Sequence, residues 1–233
     1  MLLPAPAALV TGSGDRMDKP VLLATVFTDY ICPFCYVGDV RLERLREHFD
    51  LKINWCFLEI HPDTPASGMA VQKLGYPDRQ WRQMMANLQA MGDADGIRFR
   101  AHDFTTSSHR ALLLAEAAKA DGADVFYRLH RRLFTALFTD GLNIGDAAVL
   151  RALATESGVP GETVERAWRE QHYEQQLQRY LAGAHELEVR ATPTIFFGRE
   201  NRLDGALPYE AFLRAAQAGA VQQQAAGQTG KPE

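Results

Sequence analysis

Asp29-Tyr30-Ile31-Cys32-Pro33-Phe34-Cys35-Tyr36 marks a change of periodicity in the chain. Before it runs Val21-Leu22-Leu23-Ala24-Thr25-Val26-Phe27, apolar and strand-like. After it, Val37, Val40, Leu42, Leu45 and Phe49 fall on one face of a helix. Two thiols at a strand-to-helix junction can close a small disulfide ring. The free N–H groups and positive dipole end of a helix start also favour a thiolate there. Pro33 suits a first helical turn, where its missing N–H costs nothing. The pattern reads as a dithiol redox motif.

Outward from that motif, Leu51-Lys52-Ile53-Asn54-Trp55-Cys56-Phe57 alternates as a second strand. A β-α-β unit predicts two parallel strands with a right-handed crossover. Cys56 is expected to face the core and do no chemistry. Pro62, Pro65 and Gly68 end the sheet pattern. From about Ser67 to Glu188 the spacing predicts helix after helix, opened in turn at Pro77, Ser107 or Ser108, Asp146 and Pro160. Sheet character returns at Thr194-Ile195-Phe196-Phe197, with a turn at Gly198 to Asn201 and a return strand over Arg202 to Ala206. Pro208 then precedes a helix from Tyr209 to Gln217. The expected division is an extension over 1–18, a core domain over 19–62 and 187–218, a helical insertion over 63–186, and a frayed tail over 219–233.

The chain has 233 residues, 46% apolar and 23% charged, which is ordinary for a globular protein. A net charge of -4 gives no footprint for nucleic acid. Three cysteines do not make a secreted disulfide framework. No apolar run approaches the roughly 20 residues that span a bilayer. Met1 to Val10 is apolar but lacks a basic n-region and contains Pro4 and Pro6, so a cytoplasmic location is expected, with Met17 as an alternative start. A zinc half-site is the competing reading of Cys32 and Cys35. Cys56 is the only other cysteine, and no His pair nearby has ligand spacing.

Several segments carry a family resemblance. Asp29 to Gly38 resembles the active-site segment of the DsbA-like oxidoreductases, in particular their FrnE-like branch. Phe57-Leu58-Glu59-Ile60-His61-Pro62 is similar to that branch's segment after the second strand. Ala191-Thr192-Pro193-Thr194 resembles the cis-proline loop of thioredoxin-fold proteins, and Leu203 to Pro208 the closing hairpin and helix start. The resemblance runs from about residue 21 to 217. It implies an α/β, thioredoxin-like fold with a large all-α insertion between the second strand and the cis-proline strand. It also implies thiol–disulfide exchange, with Cys32 the exposed nucleophile and Cys35 the buried resolving thiol. Pro33, Phe34, Thr192 and Pro193 would contact substrate, Thr192 through its backbone.

The chain departs from the pattern in two places. The buried acid that many thioredoxin-fold enzymes carry six positions before the first cysteine is Val26 here, which leaves Asp29 and Glu59 as candidates for proton transfer. Pro-Phe replaces the Pro-His of DsbA, so oxidising strength does not carry over. His61, His102 and His109 read as structural or exposed, with His109 a candidate for lining a cleft under the insertion. Trp81, Met84 and Met85 read first as helix packing.

The leading expectation is thus a dithiol–disulfide oxidoreductase without metal or organic cofactor. Its partners would be a disulfide- or dithiol-containing substrate and a recycling reductant or oxidant, with glutathione a candidate redox partner and a homodimer left open. The alternative is a glutathione-dependent isomerase or kappa-type glutathione transferase, which share the fold and typically carry Ser at the position of Cys32. A third reading is a binding module with a structural metal on the two thiols. Three structural expectations follow: a Cys32 thiol that titrates below Cys35, a cis Thr192–Pro193 bond, and a cleft between core and insertion with Cys32 at its floor.

Overall fold

The structure, a computed structural model, describes residues 19–229 except His102 and Arg199. The readings made for residues 1–18, for His102 and for 230–233 lie outside the described residues. Strand β1 (Val21–Thr28) pairs in parallel with β2 (Asp50–Phe57), from Val21 opposite Asp50 to Thr28 opposite Phe57. Helix α1 (Pro33–Arg44) and a 3-10 turn (Leu45–Glu47) connect them. On its other side β1 pairs antiparallel with β5 (Thr194–Phe197), and β5 with β6 (Asn201–Asp204), giving the order β2-β1-β5-β6. The fold is the thioredoxin-like arrangement that the sequence implies.

Between β2 and β5 the described residues form six α-helices: α2 (Asp78–Asp95), α3 (His109–Ala118), α4 (Ala123–Phe138), α5 (Ala147–Ser157), α6 (Gly161–Arg169) and α7 (Gln171–Glu186). The stop and start signals act as the sequence suggests. Asp146 accepts the N–H groups of Ala148 and Val149, and Gly158 closes α5 in the left-handed region. Ser107, rather than Ser108, supplies the oxygen at the start of α3, accepting the His109 N–H at 3.2 Å. The insertion also holds a small antiparallel pair, β3 (Met69–Ala70) with β4 (Phe104–Thr105). Helix α3 is the insertion's centre: Ala111 through Ala115, Ala117 and Ala118 are all buried. One apolar cluster runs from Leu22 and Phe57 in the sheet through Phe134 and Leu150 in the insertion, so the insertion shares the core of the sheet domain.

Helix α8 (Tyr209–Thr229) packs on β1, β5 and β6. It does not end at Gln217, and most of the tail expected to fray is helix. Gly219 lies directly on Phe197, where a Cβ would come within 2.6 Å of that residue's carbonyl oxygen. Ala220 is buried, and the Gln223 carboxamide bonds both the N–H and the C=O of Leu23 at 2.8 Å. Leu23 lies just beyond the start of β1–β5 pairing, so Gln223 occupies the ladder position that β5 does not reach.

Candidate active site

Cys32 is the N-cap of α1, with extended backbone and Pro33 as the first helical residue. Its carbonyl accepts the Cys35 N–H at 3.0 Å, which places Cys35 one turn inside the helix. Both are free thiols and both are buried, Cys32 at 5% and Cys35 at 2% exposure. The nucleophile expected to be exposed is therefore mostly covered, and it lines a cleft.

The loop before β5 completes the site. The Thr192–Pro193 peptide bond is cis. The Cys32 Sγ–H donates to the Thr192 carbonyl at 3.5 Å, joining residues far apart in sequence. Pro193 is held from behind: its carbonyl accepts the Gly205 N–H at 2.7 Å, and its ring rests on Gly38 of α1. Thr194 Oγ1 lies 2.8 Å from the Ala191 carbonyl and 2.9 Å from Asp204, tying the loop to β6.

The two thiols are pushed apart in acidity. Burial opposes the Cys32 thiolate, but hydrogen bonds from the Cys35 thiol, the Thr192 side chain and the Cys35 N–H outweigh it, and the pKa falls below the ordinary thiol value. Burial pushes Cys35 well up, and the neighbouring Cys32 pushes it further. Cys56 is a third buried thiol in a separate cluster with Phe27, Leu58 and Ala184; burial raises its pKa to about 11. Among the described residues no three His, Cys, Asp or Glu side chains converge as a metal site requires.

Above Cys32 lies a cleft of about 500 Å³. Cys32, Pro33, Phe34, Ala191 and Thr192 line it from the core, Ile31 and Ile60 from the segments after β1 and β2, and Tyr76, Trp81, Met84 and Met85 from the insertion. The Trp81–Met84–Met85 stripe, read from spacing as helix packing, is thus a cleft wall. Tyr76 and Trp81 stack with centroids 6.1 Å apart, and the Tyr76 hydroxyl is 3.4 Å from His61 Nε2. Burial lowers the His61 pKa, which favours a neutral ring. Arg190, 83% exposed, also borders the cleft.

Other sequence candidates fall elsewhere. His109 does not line the cleft. Its Nδ1 lies 2.9 Å from Glu59 and its Nε2 2.8 Å from Glu174, so it clamps α3 to the segment after β2 and to α7. The Glu59 hydrogen bond, partly opposed by burial, raises its pKa to about 9. Val26 is buried between Trp55 and Ile195, as an apolar side chain should be. Asp29 is fully buried beneath the cysteine turn.

Sequence reasoning missed one polar group. The Tyr30 hydroxyl lies 2.7 Å from His130 Nδ1, and His130 Nε2 lies 3.1 Å from the Asp39 carboxyl, all buried. Tyr30 lies just before Cys32, Asp39 lies within α1, and His130 comes from α4. No local spacing signals this contact.

Comparison with known proteins finds relatives in sequence and in fold. The chain is 25% identical over 191 residues to the uncharacterized protein YwbO of Bacillus subtilis (strain 168), covering 82% of this chain and 93% of that one. It superposes on the probable DsbA oxidoreductase SCO1869 of Streptomyces coelicolor with a TM-score of 0.75 and 23% identity, covering 85% and 89% of the two chains. For the cytosolic disulfide reductase DsbM from Pseudomonas aeruginosa with GSH, the TM-score is 0.62 at 17% identity, covering 89% of this chain and 100% of that one. The model of the DSBA-like thioredoxin domain matches residues 24–217, a span holding both cysteines, the proline loop and the whole insertion, and the chain belongs to that DSBA-like thioredoxin-domain family.

Proposed function

We propose that this protein is a dithiol–disulfide oxidoreductase of the FrnE-like branch that cycles Cys32 and Cys35 between dithiol and disulfide. The observation that carries the reading is geometric: two free thiols one helical turn apart at the start of α1, with Cys32 lining a cleft beside the Thr192 carbonyl, an arrangement that favours Cys32 as thiolate and Cys35 as thiol. In the reducing direction, Cys32 thiolate attacks a substrate disulfide, forms a mixed disulfide and expels one substrate thiolate. Cys35 then loses its proton and attacks Cys32 Sγ, releasing the second substrate thiolate and leaving Cys32–Cys35 oxidised. Two electrons pass from the enzyme to the substrate, and the reverse sequence oxidises a dithiol.

Pro33, Phe34, Thr192 and Pro193 are the proposed substrate contacts. The Thr192 carbonyl already meets Cys32, which supports a role for this backbone in pairing with an extended substrate. The chemistry needs no metal or organic cofactor, and a partner must recycle the pair. Glutathione is the proposed small partner. The cleft is of a size for a short peptide, and the structurally similar DsbM was solved with GSH. A cytoplasmic location belongs to the same proposal.

The test is trapping. A Cys35→Ser variant purified from its own cells should carry a covalent partner on Cys32, released by reductant. Absence of any mixed disulfide, with glutathione or with protein, would overturn the reading. The glutathione-dependent isomerase alternative needs no resolving thiol, so isomerase activity that persists in Cys35→Ala would favour it instead.

A further inference from the structure

Asp29 is a buried carboxyl group with no counter-ion among the described residues. Its Oδ1 accepts the Ile31 N–H at 3.3 Å, and its Oδ2 accepts the Ile60 N–H at 2.8 Å. Its own carbonyl accepts the Cys32 N–H at 3.2 Å. Ile31 and Ile60 both line the cleft, so one carboxyl pins two walls around the nucleophile. Among the described residues no Lys, Arg or His side chain pairs with it. The ionisable groups around it are Cys32 and Tyr30 from its own segment and Glu59 from the segment after β2, with His109 of α3 behind Glu59. Ser108 Oγ lies beside it, buried and without a hydrogen-bond partner of ordinary geometry.

Two buried anions so placed, with no Lys, Arg or His paired to Asp29 among the described residues, disfavour each other, and their protons come off as a coupled pair. Burial, with Glu59 adding a small part, raises the Asp29 pKa to about 7, while the Ile60 and Ile31 N–H groups work against the rise. The Ser108 hydroxyl suits either state, because it can donate to a carboxylate or accept from a carboxylic acid.

The geometry points to Asp29 as the proton partner of Cys32: its carboxyl holds a proton while Cys32 is a thiolate and gives it up once Cys32 is tied in a disulfide. The inference rests on the oxidoreductase reading above. In the reduced enzyme, Cys32–SH with Asp29–COO⁻ exchanges with Cys32–S⁻ and Asp29–COOH, and charge is conserved. When the thiolate attacks a substrate disulfide, an S–S bond forms at Cys32 and the substrate S–S bond breaks. The negative charge leaves with the departing thiolate, and the Asp29 proton follows it or goes to solvent. The electrons stay among the sulfurs, and Asp29 exchanges only a proton. Because contact with the reacting sulfur is not required, Asp29 is a positioning residue that acts through the ionisation of Cys32.

The experiment follows Cys32 ionisation by thiolate absorbance against pH in a Cys35→Ala background. The expected parent curve is broadened, with a break near pH 7 where Asp29 titrates. Asp29→Asn should abolish the break and move the remaining transition to lower pH. An amide cannot accept both N–H groups as the two carboxyl oxygens do, so a second variant is read beside it: Glu59→Gln keeps the Asp29 bonds and should move the break to lower pH. Curves that superpose on the parent in both variants would overturn the proposal. Mixed-disulfide formation by Cys35→Ser separates the two failures. If it forms while the curves stay unmoved, the Asp29 role alone falls; if it never forms, the oxidoreductase reading falls and this inference with it.

Discussion

The Pro193 ring packs against Gly38 so closely that a Cβ on Gly38 would stand 3.0 Å from Pro193 Cγ. Gly38 lies in α1, one turn beyond Cys35, and is fully covered. Gly38→Ala should gain about 1 kcal/mol of helix propensity while forcing the proline ring away from the cysteines. The expected result is near-parent thermal stability with disulfide exchange slowed several-fold. Unchanged exchange would show that the loop has slack and that the contact does not position the site.

The cleft wall gives a second prediction. Trp81 and Met84 contribute apolar surface at the side of the cleft facing Cys32. Burying a large apolar side chain stabilises a contact by roughly 1.5–3 kcal/mol. Trp81→Ala should therefore lower kcat/KM about tenfold for a disulfide flanked by apolar residues, with a smaller effect on a minimal disulfide. Equal losses on both substrates would indicate damage to the fold instead of loss of recognition.

These cases show which parts were legible in the sequence. The β-α-β start could be read because periodicity switches at Cys32-Pro33, and the proline loop because its residues are local. The wall could not be placed. A stripe of Trp81, Met84 and Met85 reads the same whether it faces a neighbouring helix or a cavity. The end of α8 was missed because Gln222 and Gln223 read as a polar tail, and only the fold brings the Gln223 amide to the backbone of Leu23. The Tyr30–His130–Asp39 group was invisible because its links span 100 and 91 residues.

The α8 reading can be tested directly. Truncation after residue 218 removes Gly219, Ala220 and Gln223, which cover Phe197 and cap β1. A frayed tail would be dispensable, whereas the packed helix predicts a lower Tm. Gln223→Ala alone should cost about 1 kcal/mol for its two partly solvated bonds, and parent-like stability of both variants would refute the capping role.

His109 makes stability depend on pH. Its folded pKa of about 9 lies above the ordinary value of 6.5. The contribution is therefore complete below pH 6.5 and is lost as pH rises through about 9. The ring is 37% exposed, so solvent screening keeps the effect to about 1 kcal/mol or less. A His109→Gln variant should lose Tm relative to the parent below pH 6.5 and converge with it above pH 9. A constant difference across that range would assign His109 a packing role only.

The buried group on His130 should matter most for folding. Its ring is enclosed by Trp55, Tyr30, Phe134 and Phe126, with centroids 4.2, 5.3, 5.3 and 5.4 Å away. Its two nitrogens bond Tyr30 on one side of the cysteine turn and Asp39 on the other. The insertion thereby holds both ends of the segment that carries Cys32 and Cys35. Removing the ring opens a cavity and leaves a buried hydroxyl and a buried carboxyl without partners. Each orphaned polar group costs about 1–3 kcal/mol, more where it is charged. His130→Ala should therefore lose at least about 3 kcal/mol. Tyr30→Phe keeps the ring packing with Phe57 and Phe134 and removes only the hydroxyl, so it should cost about 1–2 kcal/mol. If the network also fixes the cysteine turn, Tyr30→Phe should change the alkylation rate of Cys32 at a pH where the protein is fully folded. Denaturant unfolding and alkylation kinetics on the same samples decide the matter. A destabilised variant with an unchanged Cys32 rate would confine the network to holding the fold.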